Sequence, residues 1–187
     1  MIPTRHQLKA LGGVAGPVAF VSAWSILGAT KPGYTPVHDP ISRLAAVDAA
    51  SRVAMTSGFL AFSLGVGLYA NEMRANMPGV ALAAMTTAVA TVGISVTPLG
   101  SSLGGVPHAT CAGIAYLSLA AAPIVGARYL ARSGRRRSAT ASIVVGVASG
   151  AFLLASVLSP RAVGLSQRIG LTLGDTWIVL TALGLAF

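Results

Sequence analysis

The chain has 187 residues, of which 54% are hydrophobic and only 9% are charged. A soluble domain carries about 25% charged residues, so this composition excludes an ordinary water-soluble globule and indicates an integral membrane protein. Lys and Arg number 13 against four acidic residues, a formal net charge of +9. In a membrane protein, basic residues collect in cytoplasmic loops and contact anionic lipids. The excess is explained in this way, so nucleic acid is not expected as a partner.

Six apolar stretches are long enough to cross a bilayer core, which needs about 20 residues per helix. The predicted membrane helices cover approximately residues 11–30, 53–70, 78–97, 107–129, 139–159 and 165–187. Strict alternation of polar and apolar residues is absent, which favours helices over a β-barrel. The predicted fold is therefore all-α: one polytopic domain over residues 1–187, a bundle of six transmembrane helices.

The basic residues give the bundle an orientation. The loop "ARSGRRRSA" between the fourth and fifth helices contains four arginines, and the N-terminal tail adds Arg5 and Lys9. Basic loops stay in the cytoplasm, so both termini are predicted to be cytoplasmic. Residues 31–52, "PLGSSLGG" and "PRAVGLSQR" then lie on the outer side.

Glycines spaced four residues apart place two small residues on one face of a helix. Such faces allow close helix packing in lipid, and we expect internal packing rather than a dimer interface. The pairs are Gly12 with Gly16, Gly146 with Gly150, and Gly170 with Gly174.

The first outer loop, "KPGYTPVHDPISRLAAVDAAS", is unusually polar for this chain. Prolines keep its first half irregular, whereas residues 40–51 are predicted to form a short interfacial helix. Asp39 precedes Pro40, so it is a plausible N-cap as well as a candidate site residue. The apolar stripe of this helix would contain Ile41, Leu44, Ala45 and Val47.

Polar residues with useful chemistry accumulate on the outer side. Histidine and carboxylate side chains suit acid–base chemistry, and the candidate catalytic residues are His38, Asp39, His108 and Asp175. Guanidinium groups bind phosphate or carboxylate in a bidentate manner. The candidate ligand-binding residues are Ser42, Arg43, Arg161, Gln167 and Arg168.

Asp175 lies near the middle of the sixth stretch, where a carboxylate is costly and therefore points to function. Arg168, seven positions earlier, lies on roughly the same face and is a candidate ion-pair partner. The alternatives are a protonated Asp175, or a hydrogen bond to Thr172 or Thr176. A structural pairing and a functional role are equally supported by the sequence.

No metal site is predicted. A zinc set could combine His38, Asp39 and His108 with Asp175 or Cys111, but no HxxxH or CxxC spacing supports it. The single cysteine excludes an internal disulfide. Ser42 lacks the sequence context of a nucleophilic serine, and the sequence does not indicate a cofactor.

The order of one helix, a Pro- and Tyr-containing segment running into "DPISRLAA", and five further helices resembles the bacterial membrane family called domain of unknown function 998. "ISRLAA" is its most specific part. Family members often have an acidic residue after that serine, where this chain has Arg43. The resemblance implies a six-helix protein of the bacterial cytoplasmic membrane and implies no activity.

The sequence favours a protein with a polar pocket on the extracytoplasmic face that binds or modifies a lipid or isoprenoid headgroup. Membrane lipids are the expected partners, and the polar residues are compatible with both binding and catalysis. The alternative is a non-catalytic accessory or assembly subunit of a larger membrane complex, supported by the glycine-rich faces. A transporter comes third, because Asp175 alone marks the membrane interior.

Overall fold

The computed structural model describes residues 4–186, and all regular structure in this range is helical. Phe187, the predicted last residue of the sixth helix, lies outside the described residues. The helices are α1 (Arg5–Thr30), α2 (Arg52–Met73), α3 (Pro78–Val96), α4 (Val106–Arg132), α5 (Arg136–Leu158) and α6 (Val163–Ala186), with a 3₁₀ helix at Ile41–Ala45.

Local signals in the sequence account for several helix ends. Thr4 and Gln7 form a capping box at the start of α1: Gln7 N donates to Thr4 Oγ1 (3.2 Å) and Thr4 N donates to Gln7 Oε1 (2.9 Å). Pro78 occupies the first turn of α3, where a missing N–H has no cost. Gly134 has a φ of 78°, the left-handed conformation that ends α4 and turns the chain into α5.

Some helices extend beyond the predicted apolar stretches. α1 begins at Arg5 rather than at residue 11, and α4 continues to Arg132 rather than ending at 129. The hydrophobic pattern marks the edge of the hydrocarbon core, whereas a helix continues through the headgroup layer until its backbone is capped or broken.

The helices form a closed ring. Each helix packs on the next one in the chain, and α6 returns to pack on α1. Within the described residues, α1 to α5 are each long and apolar enough to cross a membrane. α6 has 24 residues, about 36 Å in length, and it contacts Tyr34 at one end and Tyr69 at the other. The chain is thus a multi-pass, all-α membrane bundle, as predicted.

The bundle has two chemically different ends. The arginine end contains residues 74–77, residues 133–135 and the start of α1. The opposite loop end contains residues 97–105, residues 159–162 and the first loop, residues 31–51, which we call the lid.

The lid is folded into the bundle instead of lying on the bilayer. Its 3₁₀ helix, Ile41–Ala45, is shorter than the predicted interfacial helix over 40–51. Ile41 and Leu44 are fully buried in the main hydrophobic core, and Val47, predicted on the same stripe, is exposed. Burial of Ile41 and Leu44 in the core holds this segment in place. A longer helix with an apolar face on the membrane is therefore not needed.

Glycines allow the helices to approach closely inside the chain. Gly12 and Gly16 of α1 face Gly65 of α2, so that the two backbones are in contact. The other pairs also face neighbouring helices: Gly146 meets Ala120 and Ile124, Gly150 meets Ala120, Gly170 meets Leu153, and Gly174 meets Leu119. The glycine faces therefore serve internal packing.

Gly65→Val is expected to destabilise the bundle, because a Cβ at this position would lie 2.5 Å from Gly12 O and 2.7 Å from Gly16 Cα. Overpacking of this kind costs roughly 1–3 kcal/mol. Gly67→Val is the matched control, since a Cβ there meets no atom within 4 Å. Thermal unfolding in detergent should separate the two variants, and equal melting temperatures would contradict the described crossing of α1 and α2.

Candidate functional site

The guanidinium of Arg168 fastens the lid to α6. Arg168 is buried, and its Nη1 donates to the carbonyl oxygens of Pro36 (2.7 Å), Asp39 (3.1 Å) and Gly164 (2.9 Å). Its Nη2 donates to Tyr34 OH. The carbon at the centre of the guanidinium lies 5.2 Å from the ring centroid of Trp24, a cation–π contact. Arg168 is thus occupied by the lid itself.

Asp39 stabilises the lid from within. Its carboxylate accepts hydrogen bonds from Thr35 N (2.7 Å) and from Arg43 Nη1 (2.7 Å). The hydrogen bond from Thr35, aided by the Arg43 guanidinium, holds the pKa of the Asp39 carboxyl below its usual value despite burial. The predicted N-cap is wrong, because the 3₁₀ helix follows Pro40 without any side-chain cap.

Tyr34 connects these two groups. Its hydroxyl accepts the hydrogen bond from Arg168 and donates towards the carbonyl oxygens of Asp39 (3.3 Å) and Pro40 (3.2 Å). Burial raises the pKa of the Tyr34 phenol, and the nearby Arg168 opposes that rise. The phenol therefore stays protonated at neutral pH and can donate to the lid backbone.

Beneath the lid lies a small cavity of about 40 Å³, which has room for a few water-sized atoms. The 3₁₀ helix forms its roof, and α1, α2, α3, α4 and α6 form its walls. The polar lining residues are Ser42, Thr87, Thr91, His108, Tyr116 and Gln167. Aromatic and aliphatic side chains complete it, among them Phe20, Phe59, Phe62, Leu119 and Leu171.

Gln167 links the lid to the cavity wall. Its Oε1 accepts from Ile41 N (2.8 Å), and its Nε2 donates to Tyr116 OH. His108 Nδ1 is 2.7 Å from Thr97 O, so Nδ1 carries a hydrogen, and in the neutral imidazole Nε2 is then an acceptor. Thr87 and Thr91 instead donate to carbonyl oxygens of their own helix.

Three polar groups of the cavity therefore have hydrogen-bonding capacity left over within the described residues. They are the Ser42 hydroxyl, His108 Nε2 and the hydrogen of the Tyr116 hydroxyl. They provide one acceptor, one donor and one group that can do both. Such a set suits a ligand that both donates and accepts, as an alcohol does.

Tyr116 also lines a second space. An apolar groove of about 230 Å³ lies between α4 and α5 on their outer side, lined by Gly113, Tyr116, Leu117, Ala120, Gly150, Leu153, Leu154 and Val157. Tyr116 thus stands between the polar cavity and a groove that faces the lipid. An amphipathic molecule with its polar end in the cavity and its apolar part in the groove would pass this side chain.

The residues predicted from the sequence fall into separate places. Asp39, Arg43 and Arg168 form the clamp that holds the lid, while Ser42, His108 and Gln167 line the cavity. His38 is exposed, and its Nδ1 lies 2.7 Å from the carbonyl oxygen of the exposed Arg161. Neither of these two residues lines the cavity.

Among the described residues, no group of three or more His, Cys, Asp or Glu side chains is placed to hold a metal ion. His38 and His108, which a zinc set would have to share, instead contact two different carbonyl oxygens, of Arg161 and Thr97.

Asp175 is separate from both places. It is 2% exposed, and neither carboxylate oxygen has a hydrogen-bond partner within the described residues. Neither the candidate ion pair with Arg168 nor the alternative hydrogen bond to Thr172 or Thr176 is formed within the described residues. Seven residues correspond to about 10 Å along a helix, and the Arg168 side chain reaches away to the lid carbonyls.

Tyr116, like Thr87 and Thr91, lines the cavity and was not predicted from the sequence. A signal was present, because His108, Ala112 and Tyr116 are spaced four residues apart and lie along one stripe of α4. The bond between Gln167 and Tyr116, by contrast, joins two helices, and nothing in the sequence indicates it.

Acidification should loosen the lid. The pKa of Asp39 is lowered by folding, so its stabilising contribution is complete above the unfolded value of about 3.9 and is lost as the pH falls through the folded pKa. The melting temperature of the wild type should therefore fall below about pH 4 more steeply than that of Asp39→Asn. Asp48→Asn, which changes an exposed lid carboxylate, should behave like the wild type. Parallel curves for the wild type and Asp39→Asn would contradict the clamp.

Asp175→Leu is expected to stabilise the protein. A buried acceptor without a partner costs roughly 1–3 kcal/mol, and replacement by an apolar side chain of similar size removes that cost. Asp175→Asn retains buried polar atoms and should give a smaller gain. Melting temperatures in detergent would measure both variants, and a large loss of stability in Asp175→Leu would reveal an interaction partner.

The comparisons with known proteins agree with the resemblance noted in the sequence. The family model described as "Protein of unknown function (DUF998)" matches residues 14–184. No curated protein and no solved structure shows significant similarity to the chain. Since the match includes the lid, α2 to α5 and most of α1 and α6, this membrane protein belongs to the DUF998 family.

Proposed function

We propose that the protein binds a membrane lipid or isoprenoid whose polar end is an uncharged alcohol, amide or ester. The polar end would enter the cavity beneath the lid, and the apolar part would lie in the groove between α4 and α5. The observation that carries this proposal is the position of Tyr116, which lines both the polar cavity and the apolar groove.

The chemistry of the cavity favours an uncharged polar end. No Lys, Arg, Asp or Glu is among the described residues that line it. An ionised phosphate moved into such a place would lose its hydration without gaining a counter-charge, which costs several kcal/mol. A hydroxyl would instead find Ser42, His108 Nε2 and Tyr116 as partners.

The arginines predicted to bind an anionic headgroup serve other purposes here. Arg168 binds the lid carbonyls, Arg43 pairs with Asp39, and Arg161 is exposed away from the cavity. They support the proposal indirectly, because the first two hold the lid over the cavity.

We further propose that the loop end faces the outside of a bacterial cytoplasmic membrane and that both termini lie inside. The support is the concentration of basic residues at the arginine end, where Arg132, Arg135, Arg136 and Arg137 surround a single turn. The ligand would then be a lipid of the outer leaflet.

Binding is better supported than catalysis. Within residues 4–186, no Ser, Thr or Cys side chain is hydrogen-bonded to a histidine, as an activated nucleophile would be. The accessory-subunit alternative loses its main support, because the paired glycines that suggested it face neighbouring helices of the same chain.

Ala112→Phe tests the proposal by filling the cavity. Ala112 lines it, whereas Ala109, one turn earlier on α4, is exposed and gives the matched control Ala109→Phe. The proteins are purified in mild detergent and the lipids bound to them are identified by native mass spectrometry. We expect a neutral lipid or isoprenoid alcohol on the wild type and on Ala109→Phe, reduced at least tenfold on Ala112→Phe.

Gly113→Leu examines the groove in the same experiment. A Cβ at Gly113 meets no atom within 4 Å, so the larger side chain enters the groove without disturbing the helix packing. Loss of the ligand in both Ala112→Phe and Gly113→Leu supports one amphipathic site. Equal ligand content in all four proteins, or a stoichiometric protein partner in place of lipid, would refute the proposal.

A further inference from the structure

A second groove lies at the arginine end, between α5 and α6, and has a volume of about 410 Å³. Val145, Leu173 and Leu180 contribute apolar surface, and Ser138, Thr172 and Thr176 contribute hydroxyl groups. Thr172, Thr176 and Leu180 are exposed on the outer face of α6, so the groove opens towards lipid.

The depth of this groove matches one leaflet. It extends along α6 from Thr172 to Gly184, about 18 Å at 1.5 Å per residue, whereas half of a bilayer core is about 15 Å. The groove ends near the middle of the membrane. A transmembrane helix of a partner protein would use the full width of the bundle, and a lipid chain would use only half.

Arginine side chains stand at the mouth of the groove. Arg135 lines it and also lines an adjoining concave surface of about 380 Å³ together with Gly134, Arg136, Arg137 and Ser138. All three arginines are exposed. The ion pairs of the described chain, His6 with Glu72 and Asp39 with Arg43, involve none of them. Their charges are therefore available to a phosphate.

We propose that this groove binds an anionic phospholipid of the leaflet at the arginine end. The phosphate lies against Arg135, with Arg136 and Arg137 adding positive potential, and one acyl chain fills the groove beside α6. Trp177 forms part of the wall and is held by a hydrogen bond from Nε1 to Ser142 Oγ (2.8 Å). The site is independent of the neutral ligand at the loop end.

The test is native mass spectrometry of the delipidated full-length protein titrated with phosphatidylglycerol or phosphatidylcholine. We expect tighter binding of phosphatidylglycerol, and a loss of about fivefold in its affinity in Arg135→Ala, as one basic residue near anionic lipid is typically worth. Arg74→Ala is the matched control: Arg74 is exposed at the same end and does not line the groove.

A second variant tests whether the groove itself contributes to binding, in addition to the charge of the arginines. Ala141→Phe fills the groove and leaves every arginine in place, whereas Ala151→Phe adds the same side chain at an exposed position of α5 outside it. Phosphatidylglycerol affinity should fall in Ala141→Phe and not in Ala151→Phe. The proposal is overturned if the two lipids bind equally, or if either Arg135→Ala or Ala141→Phe binds phosphatidylglycerol like its control. Ala112→Phe should leave this affinity unchanged, so the two lipid sites can fail separately.

Discussion

The loop end of this protein depends on one buried cation. Arg168 is 7% exposed, and its two terminal nitrogens donate to carbonyl oxygens and a phenol instead of a carboxylate, whereas Nε has no partner within the described residues. A cation removed from water costs several kcal/mol unless hydrogen bonds replace its hydration. Because the lid supplies most of those acceptors, displacement of the lid would expose the cation to an apolar interior. The same arrangement brings Ile41 N to Gln167 and places Ser42 over the cavity.

The cavity beneath the lid lies where small side chains of one helix meet large aromatic side chains of others, away from the glycine contacts. Gly12, Gly16 and Gly65 bring the backbones of α1 and α2 into contact, and Gly170 does the same for α5 and α6. Across the ring, the small side chains Ala112 and Ala115 of α4 face the aromatic rings of Phe20, Phe59 and Phe62. Rings of fixed shape cannot fill the space that alanines leave, so a void remains beneath the lid.

The sequence was sufficient for the architecture, because long apolar stretches have few other structures in lipid. It also grouped the polar residues of the loop end, but it assigned several of them the wrong partners. Spacing placed Arg168 and Asp175 on one helix face, whereas the partners of Arg168 are carbonyl oxygens of residues 36 and 39, which every residue type possesses. Asp39 was similarly read from its position before Pro40, although its partners are Thr35 N and Arg43. Which backbone carbonyl of an irregular loop acts as an acceptor cannot be predicted from the residue types.

The distribution of charge then distinguishes the two proposed ligands. The net charge of +9 suggests anionic partners everywhere. At the loop end, however, backbone carbonyls solvate the buried Arg168 cation, and Arg43 forms an ion pair with Asp39. None of the described residues that line the cavity is a Lys, Arg, Asp or Glu, so hydrogen bonds and shape must determine what it accepts. Within the described residues, the guanidinium groups at the arginine end form no ion pair and are exposed. The proposed cavity site can therefore solvate the neutral polar end of a lipid in one leaflet. The proposed groove site can solvate an anionic headgroup in the other leaflet.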